Sequence, residues 1–188
     1  MKTTKEELLL ESLKLFAKYG YDGVSISMIA NKLNIVKSAI YKHFKSKEDI
    51  FNSIIIKISN DDFNNATLYS LPTNNLCKEN EKEYKGILIN NIIEFSLYQY
   101  DYWQNDKYAS LFRQMLIIER FKNKKISELY DNYFLNGPLN YMKDIFKMLN
   151  INNYENVAFK FYSILYLSYE IENNSLKKML KEVLDNAI

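Results

Sequence analysis

The chain of 188 residues is 47% hydrophobic and 26% charged, a composition typical of a folded globular protein and unlike a disordered one. It contains one cysteine, Cys77, and one histidine, His43, which excludes an internal disulfide and any metal site built from several such ligands. The net charge is only +2, but residues 1–47 carry nine lysines against four acids while the remainder carries an excess of acids, and this uneven distribution favours nucleic-acid binding near the N-terminus.

Residues that break helices are scarce in this chain. Only four glycines and two prolines are present, which predicts an all-α fold. No run of about 18 apolar residues occurs, and the first residues are too polar for a secretory signal. We therefore expect a cytoplasmic protein that does not bind a membrane.

The first predicted helix spans about residues 4–19. Thr4 and Glu7 have the spacing of a capping box, and Gly20 ends the segment. Apolar side chains recur along the helix at helical intervals, at Leu9, Leu13 and Phe16. This stripe is expected to pack on the helices that follow.

Residues 25–47 have the pattern of two short helices joined by a tight turn. The first helix has a single inward face, formed by Ile26, Ile29, Ala30 and Leu33. Asn34 tolerates the left-handed conformation that ends a helix sharply. The second helix, from Lys37 to about His43, buries Ile40 and Phe44 and leaves its polar face outward. This is the arrangement of a DNA-reading helix-turn-helix.

Several residue groups in this region also carry a family resemblance. They are Tyr19-Gly20-Tyr21, Ile29-Ala30, Ile35, Ile40-Tyr41-Lys42-His43-Phe44 and Ser46-Lys47-Glu48. In order, spacing and N-terminal location they resemble the DNA-binding domain of TetR/AcrR-type regulators. The resemblance implies a homodimer, most often a repressor, that binds a palindromic operator in double-stranded DNA and is released by a small-molecule effector. It also implies a DNA-binding domain at 1–46 and a helical effector-binding and dimerisation domain at 47–188.

The predicted DNA contacts lie on the outer faces of the two short helices: Ser25, Ser27, Lys37, Ser38, Ala39, Tyr41, Lys42 and His43. In the family, a lysine that matches Lys47 binds a phosphate at the N-terminus of a fourth helix, here capped by Ser46. Two residues depart from the family pattern. Val36 replaces the usual capping Ser or Thr of the recognition helix, and Ser27 stands where Arg is common, which predicts a modestly lower affinity.

After a loop around Pro72 the helices are longer. Their predicted spans are about 83–102, 105–121, 124–150, 154–172 and 175–187. The third contains a break at Asn136-Gly137-Pro138, because glycine ends a helix and proline begins the next one. A cavity and a packed core both remain compatible with the many aromatic residues of these helices.

The resemblance implies an effector pocket among these helices, for which the candidates are Phe95, Tyr98, Phe112, Met115, Phe134, Tyr162 and Tyr166. Aromatic richness indicates an apolar or aromatic effector. In the family, the last two long helices form the dimer interface. The candidates for it are Leu165, Tyr169, Leu176, Met179, Leu180, Val183 and Leu184, and the alternative is that the last helix packs on its own core.

An enzyme is not expected from this sequence. The only histidine lies on the recognition helix, and neither a cluster of metal ligands nor a glycine-rich phosphate-binding loop is present. We expect neither a cofactor nor a metal. Two alternatives to the effector-controlled regulator stay open: an architectural DNA-binding protein without a ligand, and a DNA-bound module that recruits a protein partner.

Overall fold

The computed structural model describes residues 4–71, 81–171 and 173–187, without the side chains of 81–87. Within these residues there are ten α-helices and no β-strand, which confirms the predicted all-α fold. The helices are α1 (Lys5–Tyr19), α2 (Ile26–Lys32), α3 (Lys37–Tyr41), α4 (Lys47–Leu68), α5 (Glu81–Asn105), α6 (Ala109–Glu119), α7 (Lys124–Phe134), α8 (Asn136–Met148), α9 (Tyr154–Ser168) and α10 (Leu176–Asp185). In the described part of the chain, no helix combines the length and apolar composition that crossing a membrane requires.

The helices are organised in two compact units. The first contains Met1–Asp61 with Asp106–Tyr130, and the second contains Asp62–Asn105 with Asp131–Ile188. The helices α4 and α7 contribute residues to both units. The first unit therefore includes α6 and the first half of α4 in addition to the predicted N-terminal domain, and the functional boundary between residues 46 and 47 stays a prediction.

The first unit is built around α1, which begins and ends as predicted. The Thr4 hydroxyl accepts a hydrogen bond from the Glu7 N–H (3.1 Å), and the Glu7 carboxylate accepts one from the Thr4 N–H (2.8 Å). At the other end Gly20 has φ +77° and donates its N–H to the Phe16 carbonyl. The helix packs on α2 and α6. Its buried face includes Leu8, Leu13 and Phe16.

The break between α7 and α8 lies where the sequence predicts it. Leu135 departs from helical geometry, and α8 begins at Asn136 with Pro138 in its first turn. A Cβ atom at Gly137 would lie 1.9 Å from the Asn132 carbonyl oxygen. Glycine is therefore required where the two helices approach each other.

The second unit is held together by α5, α8, α9 and α10. The Trp103 ring packs edge-on against Phe134 at 4.7 Å between ring centres, and Phe134 also contacts Tyr169. The Tyr162 hydroxyl donates to the Phe134 carbonyl at 2.9 Å. Much of the aromatic content of this unit therefore fills its core.

The apolar face of α10 is covered within the protomer, where this helix packs on α5 and α9. Five of the seven residues predicted for the dimer interface are consequently buried in the core: Leu165, Tyr169, Leu176, Leu180 and Leu184. This burial agrees with the alternative given above, in which the last helix packs on the core of its own chain. Met179 and Val183 remain at least partly accessible.

Candidate nucleic-acid interface

The helix-turn-helix is formed by α2, α3 and the turn between them. The Ser25 hydroxyl caps α2 by accepting a hydrogen bond from the Met28 N–H at 3.2 Å. Asn34 adopts the left-handed conformation with φ 52°, as its position predicts. The Ile35 N–H then donates to the Ala30 carbonyl at 3.0 Å, which closes the turn before α3 begins.

Buried side chains fix α2 and α3 against the rest of the first unit. Ile29, Ala30, Ile40 and Phe44 are almost fully buried. Because α3 has only five residues, it is too short to be stable by itself and depends on this packing. The inner faces therefore hold the outer face of α3 in a fixed orientation.

Most of the predicted DNA-contact residues are accessible on this outer side. Six are exposed: Ser25, Lys37, Ser38, Tyr41, Lys42 and His43. Ser27 and Ala39 are partly buried, and so is Lys47. The helix α3 and the two residues after it thus expose hydroxyl, ammonium, phenol and imidazole groups, which can contact base edges and phosphates.

The Lys47 side chain is engaged within the protein. Its Nζ atom donates to the Tyr21 carbonyl oxygen at 2.8 Å and lies 4.2 Å from the centre of the Tyr21 ring. The same ring packs between Phe16 and Phe51. Lys47 therefore ties the loop after α1 to the start of α4, and its contact with a phosphate stays a prediction.

The start of α4 is capped as predicted. The Ser46 hydroxyl accepts from the Asp49 N–H at 3.1 Å, and the Asp49 carboxylate accepts from the Lys45 N–H at 2.8 Å. The first bond satisfies a backbone donor that a helix N-terminus otherwise leaves open, and the second holds the residue before the cap. It also fixes the segment between α3 and α4.

Four lysines surround the exposed face of the helix-turn-helix: Lys32, Lys37, Lys42 and Lys45. All four are exposed, and none forms an ion pair with another described residue. By contrast, Lys125 of the same unit is paired with Glu48 at 3.0 Å. The four ammonium groups are therefore available to phosphate oxygens.

Val36 is a candidate contact that the sequence prediction omitted. It is 69% exposed at the N-terminus of α3 and provides no side-chain cap. An apolar side chain at the first exposed position of a recognition helix can contact the methyl group of thymine. Its sequence signal was the replacement of the usual capping residue by a β-branched apolar one.

Comparison with known proteins identifies the family. The sequence model described as "Bacterial regulatory proteins, tetR family" matches residues 8–54, which extend from α1 into α4. The biofilm operon icaADBC negative transcriptional regulator IcaR of Staphylococcus aureus is 25% identical over 130 residues, 68% of this chain and 69% of IcaR. These matches support a TetR/AcrR-type regulator, and the family model covers the helix-turn-helix region.

Other relatives agree with this assignment. The regulator YerO of Bacillus subtilis is 43% identical over 53 residues, 28% of this chain and 18% of YerO. A TetR/AcrR-type regulator of Aquifex aeolicus has the same fold with a TM-score of 0.59 at 21% identity, over 99% of this chain and 100% of its own. SmeT, the repressor of a Stenotrophomonas maltophilia multidrug efflux pump, superposes with a TM-score of 0.60 at 14% identity, over 99% and 89% of the two chains. The sequence matches support a transcriptional regulator rather than an enzyme.

The predicted effector-binding residues of this TetR/AcrR-type regulator fall into two groups. Phe112 and Met115 lie in the first unit, fully buried on α6. They are core residues there, because α6 packs on α1. The other five belong to the second unit: Phe95, Tyr98, Phe134, Tyr162 and Tyr166.

A polar pair among the aromatic residues of the second unit was not predicted. The Gln99 side-chain amide donates to the Asp62 carboxylate at 2.7 Å. Burial raises the pKa of Asp62, while this hydrogen bond lowers it. Tyr141 is close enough for the charge of Asp62 to raise the pKa of its hydroxyl, after the larger effect of burial. A single sequence does not reveal the pair, because its members are 37 residues apart and neither belongs to a motif.

An apolar ridge on α9 remains exposed in the protomer. Phe159, Ser163 and Leu167 of α9, and Ile171 three residues after its end, follow one another at intervals of four residues and are all exposed. On α10, Met179 and Val183 have the same spacing and are also accessible. These residues lie on the side of each helix that its own core does not cover.

Proposed function

We propose that this TetR/AcrR-type regulator is a homodimeric repressor that binds a palindromic operator through the outer face of α3 and is released by a small apolar or aromatic effector. The observation that carries the proposal is the contrast between the two faces of α3. Its inner face is anchored by Ile40, and its outer face exposes Lys37, Ser38, Tyr41 and Lys42. Such a helix can enter the major groove without losing its packing.

Each group on this face has a distinct proposed role. Ser38 and Tyr41 contact base edges, with Val36 against a thymine methyl group. Lys37 and Lys42 bind phosphates, together with Lys32 and Lys45. Specificity for the base sequence then depends on the residues that contact bases. Affinity at low salt depends mostly on the lysines that bind phosphates.

The proposed dimer interface uses the exposed ridges of α9 and α10. Ridges with a spacing of four residues interdigitate when two helices cross, and this is the commonest packing of helices in globular proteins. The apolar contacts would come from Phe159, Leu167 and Ile171. The small side chain of Ser163 would let the two helices approach closely. A two-fold dimer brings two copies of α3 to two half-sites, so the operator is expected to be palindromic.

The proposed effector site lies in the aromatic second unit. SmeT, whose fold is similar, forms a complex with triclosan, an aromatic compound. In this chain α4 is one continuous helix from Lys47 to Leu68 and contributes residues to both units. A ligand that stabilises one position of α4 can therefore change the position of the helix-turn-helix.

The experiment that tests this function is selection of bound duplexes from a random DNA pool at roughly physiological salt. The wild type is compared with Tyr41→Ala and with Phe121→Ala, a matched variant that removes an exposed ring at the end of α6. The proposal expects a palindrome to be enriched by the wild type and by Phe121→Ala, but not by Tyr41→Ala. Enrichment that does not depend on Tyr41, or none at all, would favour the architectural alternative.

A further inference from the structure

The pair formed by Asp62 of α4 and Gln99 of α5 is the most unusual polar feature of the second unit. Gln99 is 8% exposed and gives its amide N–H to Asp62. Its carbonyl oxygen, Oε1, is buried and accepts no hydrogen bond from the described residues. Among these residues, moreover, no lysine or arginine forms an ion pair with Asp62.

Aromatic residues lie close to this pair along the chain, on α5 and directly after α4. On α5, Phe95 and Tyr102 lie four residues before and three residues after Gln99, and therefore on the same face. Tyr69, the residue after the end of α4, lies seven positions after Asp62 and contacts Phe95 at 5.8 Å between ring centres. Tyr98 packs on both Tyr69 and Tyr102. The four rings thus form one connected cluster, and Gln99 shares the face of α5 that carries Phe95 and Tyr102.

Within the described residues, no cation pairs with the Asp62 carboxylate and no donor reaches Gln99 Oε1. A partly buried carboxylate without a cation and a buried carbonyl without a donor both lower the stability of the fold. The faces of aromatic rings attract cations as well. The carboxylate, the carbonyl oxygen and the ring faces therefore all favour a cation that donates hydrogen bonds, and all three disfavour an anion.

We propose that the second unit binds an organic cation, a protonated amine with an apolar or aromatic body. Its ammonium group is held by the Asp62 carboxylate and by Gln99 Oε1, and its body packs on the rings of Tyr69, Phe95, Tyr98 and Tyr102. The inference rests on the proposed function, in which the effector binds in this unit, and it names the chemical class of that effector. It also predicts that carboxylate ligands such as fatty acids bind poorly.

The inference can be tested with dibenzylamine and dibenzyl ether. The two molecules have the same shape, but only the amine is charged and donates N–H bonds at neutral pH. Trp103 is the only tryptophan of the chain and contacts Tyr102 at 5.1 Å between ring centres, so its fluorescence reports binding in this cluster. We expect wild-type protein to bind the amine at least about tenfold more tightly than the ether, as one charge-assisted contact implies.

The matched variants are Asp62→Asn and Asp61→Asn. The first retains the size of the side chain and removes its charge, whereas the second removes the charge of the preceding residue, which pairs with Lys57. Asp62→Asn should weaken amine binding about tenfold and leave ether binding unchanged, and Asp61→Asn should bind both as the wild type does. Circular dichroism checks that each variant is folded, and the amine-to-ether ratio of the wild type tests the inference without any variant.

Three results would overturn the inference: equal affinity of the wild type for amine and ether, an unchanged preference in folded Asp62→Asn, or no amine binding up to roughly millimolar concentration. Selection of duplexes with the same preparation separates this failure from that of the proposed function. An enriched palindrome without preference for the amine leaves the regulator intact and removes only the cation site. Amine preference without any enriched sequence leaves the cation site and removes the DNA-reading function.

Discussion

Two lysines of the first unit have different surroundings although both were predicted to contact DNA. Lys37 is exposed and forms no ion pair within the described residues, whereas the Lys47 ammonium is bonded to Tyr21. We expect Lys37→Ala to reduce the slope of log affinity against log salt by about one per half-site, with unchanged stability. Lys47→Ala should instead lower the free energy of unfolding by about 1 kcal/mol, because a hydrogen bond from a charged donor is lost at a partly buried site. Binding at several salt concentrations and urea unfolding measure the two effects, and an unchanged salt slope in Lys37→Ala would contradict the assignment.

Val36 combines an uncapped helix with an exposed apolar side chain. Val36→Ser should stabilise the protein by about 0.5–1 kcal/mol, because serine can cap α3. It should also weaken operator binding several-fold, since the apolar contact with thymine is lost. Val36→Thr is the control, because it adds a cap and retains one methyl group. Thermal unfolding and fluorescence anisotropy measure the two effects, and equal operator binding by both variants would rule out the methyl contact.

Tyr108 should make the first unit less stable at alkaline pH. Burial, followed by the charges of Glu6 and Asp106, raises the pKa of Tyr108 to about 12, and its hydroxyl donates to the Glu6 carbonyl at 3.1 Å. The unfolded chain releases this proton near its ordinary pKa of 10.0, so the stabilisation is complete below pH 10 and is lost as the pH rises towards 12. Between pH 10 and about 12, the free energy of unfolding measured with urea should decline less for Tyr108→Phe than for the wild type. Tyr19→Phe, at an exposed position, should decline as the wild type does.

At the scale of single elements, the sequence predicts correctly those features that depend on interactions between neighbouring residues. The capping box at Thr4, the left-handed Asn34 and the break at Gly137 all depend on residues within five positions of each other, and the structure confirms them. The covering of α10 depends on distant residues. An apolar stripe such as Leu176, Leu180 and Leu184 shows that a helix face is buried, but not whether its own chain or a partner covers it.

The two effector candidates on α6 illustrate the same limit. Phe112 and Met115 have the spacing of buried residues, and they are buried. The packing of α6 on α1 joins segments about a hundred residues apart, which periodicity does not report. The Asp62–Gln99 pair was missed for the same reason, since only the fold brings it together.

The junction of α7 and α8 offers a test at this scale. Gly137→Ala should destabilise the protein by more than about 1 kcal/mol, because the added Cβ would meet the Asn132 carbonyl oxygen at 1.9 Å and the backbone must shift. Thermal unfolding measures the change. Asn136→Ala, next to it, is the control for the loss of a side chain in the same turn. A stability equal to that of the wild type in Gly137→Ala would show that the junction is more tolerant than its geometry implies.

For the molecule as a whole, dimerisation through the α9 ridge predicts a change of mass. Leu167→Asp places a charge in the proposed interface and should convert the dimer to a monomer, because a buried unpaired carboxylate is strongly unfavourable. Leu68→Asp is the control, since Leu68 is an exposed leucine outside the ridge. Sedimentation equilibrium distinguishes the outcomes. A dimer that persists in Leu167→Asp would place the interface elsewhere.

Coupling between effector and operator is reciprocal in any equilibrium mechanism. An effector that weakens operator binding by a given factor must itself bind more weakly, by the same factor, when the operator is present. Titration of an effector with and without operator duplex therefore tests the proposed role of α4. Equal effector affinities with and without operator would show that α4 does not couple the two sites, even if both the effector and the operator bind.

In the proposed function, two copies of the outer face of α3 read two halves of one site. Fluorescence anisotropy with the selected palindrome, compared with a duplex in which one half-site is scrambled, tests it most directly. We expect two chains per intact duplex and a loss of affinity of roughly a hundredfold or more on scrambling, since several base contacts worth about 1–3 kcal/mol each are removed. Equal affinity for both duplexes, or one chain per duplex, would contradict it.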